Sequence, residues 1–297
     1  MHIQNKKAAL LFILIVSLIT QDNFSKTLND QSVNINIEPL KNTIIKGEFW
    51  DVLVTIRNNS NDTITIPSVN QHLIVEQESS TINYYHPQSG DGCMTIPPQE
   101  EYIFILDPIK FINYKKEDKK LVPGLPWFYW PEGDYEYYIS QEVGNKVFYS
   151  NKIPITVLPV PDSLKKAFED LKEDLSKPMN LSDYENLYEK YKGTYYEKEF
   201  EYKLFSTYQY GFGLSKAGED KELFNKVQKN YKEFILKYPD TEIASLIFSY
   251  IYGNREKGSG QLLKEVLDSL KKRNDVGIFK KVLKNQQKYY LKDIDKY

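Results

Sequence analysis

Residues 231–252 read YKEFILKYPDTEIASLIFSYIY. An apolar stripe at helical spacing (Leu223, Phe224, Val227, Tyr231, Phe234, Ile235) runs up to Tyr238 and meets Pro239. A second stripe (Ile243, Ala244, Ile247, Tyr250, Ile251) begins directly after Asp240 and Thr241. Proline inside a helix loses a backbone hydrogen bond and clashes with the preceding turn, at about 3 kcal/mol. Pro239 therefore ends one helix, and Asp240 or Thr241 caps the next. A joint this short leaves the two helices antiparallel and in contact.

Working outward, the same period governs the whole C-terminal half. Downstream stand Leu262, Leu263, Val266, Leu267 and Leu270, then Phe279, Val282, Leu283 and Tyr290. Upstream, Pro159 and Pro161 mark a boundary, and Asp162 and Ser163 are N-cap candidates for a stripe of Leu164, Ala167, Phe168, Leu171 and Leu175 that Pro178 breaks. Ser182 with Glu185 forms a capping-box pattern ahead of Tyr184, Leu187, Tyr188 and Tyr191, which Gly193 closes. Phe200, Leu204, Phe205 and Tyr208 make a further stripe before Gly211. The spacing predicts about seven helices over residues 160–297.

Ahead of residue 160 the period is two. VNINIE (Val33–Glu38) alternates, as do Val52, Val54 and Ile56, which a polar loop separates from Ile64 and Ile66 in what reads as a hairpin. QHLIVEQE and EEYIFILDP are further short β-prone runs. Tyr135–Val143, a Gly144-Asn145 turn, Lys146–Tyr149 and Ile153–Leu158 close the series. Seven or so short strands with regular turn signals predict an all-β sandwich over residues 32–159, followed by an all-α region.

Two resemblances attach to these residues. KGEFWDVLVTIRNNSNDTITIP, PEGDYEYYIS and SNKIPITVLP look like the immunoglobulin-like modules of exported bacterial proteins. Gly133-Asp134-Tyr135 matches the entry to their penultimate strand, Tyr135 taking the corner-tyrosine place. Their inter-sheet cysteine pair is missing, and Tyr137 stands where its second member would be. FILKYPDTEIA is similar to the joint between tetratricopeptide repeats, although the Trp-Leu-Gly start is missing and no second copy follows at a 34-residue period. The resemblance implies stacked helical hairpins over residues 180–290; an irregular helical bundle is the alternative.

The chain has 297 residues, enough for two domains. Its net charge of −2 gives no footprint for nucleic acid. Lys6 and Lys7 precede the uncharged run AALLFILIVSLIT (Ala8–Thr20), which has the length of a secretory signal core and is short for a membrane span. Residues 1–25 therefore read as a signal peptide, cut after Ser25, or as a short anchor that would tie the chain to a membrane. Export to the periplasm, cell envelope or exterior follows. The sole cysteine, Cys93, allows no internal disulfide and reads as a small, partly buried apolar residue.

Candidate sites are few. Trp127, Phe128, Tyr129 and Trp130 stand together between prolines, either as an aromatic platform for sugars or as packing residues. Tyr184, Tyr188, Tyr191, Tyr195, Tyr196, Tyr202, Tyr208 and Tyr210 either line a concave peptide groove or pack between helices. His86 and Cys93 are the only candidates for a nucleophile pair. His72 adds too little for a metal site. From Arg255 onward the chain is net basic by about 6, a partner-facing or merely solvated surface. Asn58, Asn61 and Asn180 begin glycan-acceptor triplets, which matter only in a eukaryotic secretory pathway. No cofactor is indicated. The expected function is an exported, non-enzymatic protein- or peptide-binding protein of the envelope. A carbohydrate-binding module, a protease inhibitor and a Cys93–His86 hydrolase are the alternatives.

Overall fold

The computed structural model describes residues 32–48, 50–67, 71–77, 80–85, 93–106, 112–117, 120–123, 132–173, 181–212, 221–253, 259–289 and 291. Strands come first: β1 (Val33–Pro39), β2 (Thr43–Ile45), β3 (Val52–Asn58), β4 (Ile64–Pro67), β5 (Gln71–Gln77), β6 (Ser80–Tyr85) and β7 (Cys93–Ile96). Then follow β8 (Glu101–Leu106), β9 (Ile112–Glu117), β10 (Lys120–Pro123), β11 (Gly133–Val143), β12 (Lys146–Tyr149) and β13 (Ile153–Leu158). After a 3-10 turn at Asp162–Leu164 come the helices α1 (Lys165–Glu173), α2 (Leu181–Tyr191), α3 (Glu197–Phe212) and α4 (Lys221–Lys237). The last three are α5 (Glu242–Gly253), α6 (Gly260–Lys271) and α7 (Gly277–Gln286). The chain thus combines sheets with helices, and the period changes where the sequence predicts.

The strands form a three-stranded sheet ordered β1-β3-β8 and a larger sheet ordered β10-β9-β6-β5-β11-β13-β2, with β12 also on β11. A separate pair is β4-β7. On β1 the alternation is clean: Val33, Ile35 and Ile37 are buried, while Asn34 and Glu38 are exposed. The expected β11–β12 hairpin is present, with Val143 opposite Lys146 and Gly144 at φ +62°. At the core, fully buried Trp50 meets the ring of Tyr137 edge-on, 4.5 Å between centroids.

The expected β3–β4 hairpin is not formed. β3 is flanked by β1 on one side and β8 on the other, so no edge is left for β4, which pairs with β7 instead. Asn58 turns the chain out of the ladder. Its buried amide donates to the carbonyls of Asp62, Ile96 and Pro97 at 2.8, 2.9 and 3.0 Å and accepts from the Ser60 amide. The expected caps of the first helix also differ. Pro161 occupies the N-cap of the 3-10 turn with no side-chain cap, and Asp162 pairs with Lys165 at 2.6 Å. Ser182 lies within the first turn of α2 rather than ahead of it. Gly193, at φ +77°, follows the end of α2 as predicted.

The small sheet β1-β3-β8 is buried over one face and partly over the other, where Asn34, Glu38 and Arg57 stay exposed. Val52, Val54 and Ile56 join the main buried cluster with residues of β11 and β13, and the same cluster continues into the helices α1–α7. Leu53, Ile103 and Ile105 point the other way and pack with Val282 of α7. A strand covered on both sides reads as a continuous apolar run rather than an alternation. VLV in β3 and YIFIL in β8 are such runs. Burying a side chain of this size stabilises by about 1.5–3 kcal/mol.

The helices pack as α2 on α3, α4 on α5 and α6, and α5 on α6. The last helix does not extend this series: α7 lies on β8. There Asn285, 6% exposed, inserts its amide into the free edge of β8. Its Oδ1 accepts from the Ile103 amide at 2.8 Å, and its Nδ2 donates to the Glu101 carbonyl at 2.8 Å. Tyr289 donates to that same carbonyl at 2.6 Å. On the opposite edge Asn151 does the same for β1, accepting from the Ile37 amide at 2.8 Å and donating to its carbonyl at 3.0 Å. Each edge of the small sheet thus receives a side-chain amide, and on the β1 edge Ile35 also forms an isolated parallel bridge with Ser150.

A second seam lies at Gly47. Its φ of +93° suits glycine, and a Cβ there would come 2.7 Å from Cδ2 of Phe168 on α1. Among the described residues no helix is long and apolar enough to cross a membrane; the lysine-led apolar run of residues 6–20 lies outside them.

Replacing Asn285 with alanine leaves the Ile103 amide buried and without an acceptor, whereas the Glu101 carbonyl keeps Tyr289. A loss of about 1–3 kcal/mol is expected in urea denaturation of the full chain. An unchanged midpoint would mean that the amide does not close this edge.

Candidate functional site

The Pro239 joint is where several helix ends converge. Thr241 caps α5: its Oγ1 accepts from the Ala244 amide at 3.1 Å and donates to the Tyr238 carbonyl at 2.9 Å. Asp51, from the loop before β3, supplies a second cap by accepting from the Glu242 amide at 2.9 Å. Asp240 does not cap the helix that follows it. Its Oδ1 accepts from the Phe279 amide at 3.0 Å and so caps α7. At the end of α4, the Arg273 guanidinium donates to the Leu236 carbonyl. Helix N-termini carry partial positive charge and favour carboxylates, which is why acidic side chains collect here.

Beside this joint opens a cleft of about 620 Å³, walled by the β half through Lys41, Glu48 and Asp51 and by the helical half through residues 194, 195, 197–199, 237–241, 273 and 275. Its charges are mostly matched. Glu48 takes Lys41 and the Tyr195 hydroxyl, and Lys198 lies 3.8 Å from Asp51. Lys237 donates to Glu197 at 2.5 Å. Arg273 holds Asp275 with two bonds, 3.0 and 2.7 Å. The Tyr195 ring is 44% exposed. Burial pushes the Tyr238 hydroxyl up to about 12. The Asp240 carboxyl is raised by burial and by the charge of Asp275, against the lowering effect of the Phe279 amide and Arg273. The Arg273 guanidinium holds Asp275 below the usual carboxylate range.

A smaller groove of about 430 Å³ lies between α2, α3 and α4. Tyr188 lines it, half-buried, with its hydroxyl pushed by burial up to about 12. Lysines line this groove and are engaged at its walls. Lys192 sits over the Tyr188 ring at 5.5 Å, and Lys226 of α4 reaches Glu185 of α2 at 2.5 Å.

The tyrosines expected to line one groove are therefore dispersed. Tyr191 is a packing residue, 7% exposed, stacked on Phe200 at 4.6 Å and donating to Asp170 at 2.5 Å. Burial would raise Asp170, but bonds from Lys166, Lys190 and Tyr191 hold its carboxyl at about 2. Tyr184 is half-buried, and Tyr196 is fully buried with its hydroxyl on the Lys46 carbonyl at 2.5 Å. Cys93 is exposed on β7 rather than partly buried. Trp127, Tyr129, Trp130 and His86 lie outside the described residues. Among the described residues no group of three or more His, Cys, Asp or Glu side chains could hold a metal ion. Glu48, Asp51, Glu197, Lys198, Arg273 and Asp275 carried no sequence signal of their own, because they meet only through long-range contacts; the Tyr-Pro-Asp-Thr joint was the legible marker.

No protein-family model matches the chain, and no curated protein matches it. Similar solved structures include a β-glucosidase from Erythrobacter marinus, 18% identical over 43% of this chain and 15% of that one, at a TM-score of 0.25. Spo0M, a sporulation control protein from Bacillus subtilis, is 13% identical over 48% of this chain and 56% of that one, at 0.27. A CARDB domain from Pyrococcus furiosus, in complex with di-metal ions, is 12% identical over 42% and 87%, at 0.24. This chain spans under a fifth of the β-glucosidase's length. Superposition this slight transfers neither fold nor activity.

A carboxyl raised on folding takes up a proton on folding. Its contribution favours the fold at low pH and is lost as pH rises through the ordinary carboxylate range to the raised value. Asp240→Asn keeps an acceptor for the Phe279 amide. It is expected to hold or raise Tm at about pH 7 and to match the parent at about pH 3. A Tm lowered at neutral pH and equal in acid would show that the ionised form is the favoured one.

Proposed function

We propose that this is an exported, non-enzymatic binding protein of the cell envelope, built from an immunoglobulin-like sandwich (residues 32–159) and tetratricopeptide-like helices (residues 160–297), and that it holds a polypeptide segment in the cleft at the Pro239 joint. The lysine-led apolar run at residues 6–20 supports export. Two sheets sharing one buried cluster support the sandwich reading, and the Pro239 joint between contacting helices supports the repeat-like one. Both kinds of fold commonly present surfaces to other proteins, an analogy of fold and not of site.

The observation that carries the binding reading is the cleft. At about 620 Å³ it can enclose one or two side chains of a peptide, and both halves contribute charged groups and the exposed Tyr195 ring. The groove on α2–α4 is a weaker choice: it is smaller and lined by the helical half alone.

A photo-crosslinking amino acid placed at Thr194, on the cleft, tests this in cells that make the protein. Polypeptide adducts are expected there and not from the same group at exposed Leu246 on α5. Equal adducts at both positions, or none at Thr194, would remove the cleft as a binding site.

A further inference from the structure

The cleft's charges also indicate what it selects. Six carboxylates line it (Glu48, Asp51, Glu197, Glu199, Asp240, Asp275) against four cations (Lys41, Lys198, Lys237, Arg273). Each cation already faces a carboxylate: Lys41 faces Glu48, Lys198 Asp51, Lys237 Glu197, and Arg273 Asp275. An incoming anion would have to break one of these pairs. The lining thus holds two more carboxylates than cations, and of those outside the four pairs Glu199 is 1% exposed. Asp240 is the more accessible, and among the described residues its one hydrogen bond is from the Phe279 amide through Oδ1. The half-exposed ring of Tyr195 lines the same cleft and offers a face to a cation.

We infer that the cleft takes a basic side chain, lysine or arginine, of a bound polypeptide, with Asp240 as its counter-charge and Tyr195 as an aromatic wall. This rests on the polypeptide-binding reading above and names its chemistry. A guanidinium or ammonium entering the cleft would offset the excess of negative charge there. It would also add to Arg273 a second cation near Asp240, whose ionised form burial and neighbouring Asp275 disfavour. Asp240 acts here through charge, while its bond to the Phe279 amide needs only an acceptor oxygen, which asparagine also provides.

Fluorescence anisotropy with the full chain and labelled hexapeptides tests the inference. The peptides carry two arginines, two glutamines or two glutamates in an otherwise identical serine–glycine frame. The arginine peptide is expected to bind about tenfold tighter than the glutamate peptide at about 50 mM salt, with the preference mostly gone at about 500 mM. Asp240→Asn, its folding checked by circular dichroism, is expected to weaken the arginine peptide about threefold or more and to leave the glutamine peptide unchanged. Tyr195→Leu is expected to weaken the arginine peptide as well. Equal binding of the three peptides at the cleft would overturn the charge preference and leave the polypeptide reading standing. A preference for arginine that survives Asp240→Asn intact would overturn the role given to Asp240. No binding by any of the three, together with no crosslinked adduct at Thr194, would sink both.

Discussion

The small sheet β1-β3-β8 is covered over one face and, around Leu53, Ile103 and Ile105, on part of the other, and the rest of the molecule is arranged around that packing. One face meets the larger sheet through Val52, Val54 and Ile56. The other meets α7 through Leu53, Ile103, Ile105 and Val282. Its two edges end in the amides of Asn151 and Asn285. A buried backbone N–H without a partner costs about 1–3 kcal/mol, so a covered edge must be completed by something with both a donor and an acceptor. A carboxamide supplies the pair with the spacing of a peptide group. The last helix is therefore held where Asn285 reaches β8, and its N-terminus is held at the joint by Asp240.

That placement explains why the polar cleft sits where it does. Apolar contact covers the flat parts of the seam, but helix termini cannot be covered in that way, because their free amides need acceptors. The starts of α5 and α7 and the end of α4 converge at the Pro239 joint, and Asp51, Thr241, Asp240 and Arg273 are the groups that satisfy them. Carboxylates drawn in to cap amides bring lysines and an arginine with them. The charged lining is thus partly a structural consequence of where the helices end, and its six carboxylates against four cations give the cleft a sign.

What could be read from the sequence depended on range. The change of period near residue 160, the β11–β12 hairpin and the stripes of α4 to α6 are local patterns, and they came through. β3 was harder. Val52, Val54 and Ile56 were legible as one face, yet Leu53 between them reports a second covered face that only α7 supplies, 229 residues on at Val282. The supposed β3–β4 hairpin failed for a related reason. Its loop has ordinary turn composition, but both sides of β3 were already taken by strands distant in sequence, and Asn58 is engaged with Ile96 and Pro97. Likewise Asp240 looked like a cap for the helix beside it and serves another 37 residues away, since Thr241 had already met the nearer need. The cleft was invisible as a whole, because its walls come from residues 41 to 275.

The same geometry links occupancy of the cleft to the integrity of the seam. Glu48 and Asp51 belong to the β half, Asp240 and Arg273 to the helical half, and Asp51 and Asp240 are also helix caps. A ligand that bridges these walls interacts fully only when the halves are docked, so its binding free energy adds to the stability of the docked state. A cation near Asp240 also strengthens the ionised form of a carboxylate that caps α7, and α7 covers β8. On the proposed reading, binding at the joint and closure of the small sheet's edge would draw on one helix, held at its start by Asp240, which lines the cleft, and near its end by the buried amide of Asn285.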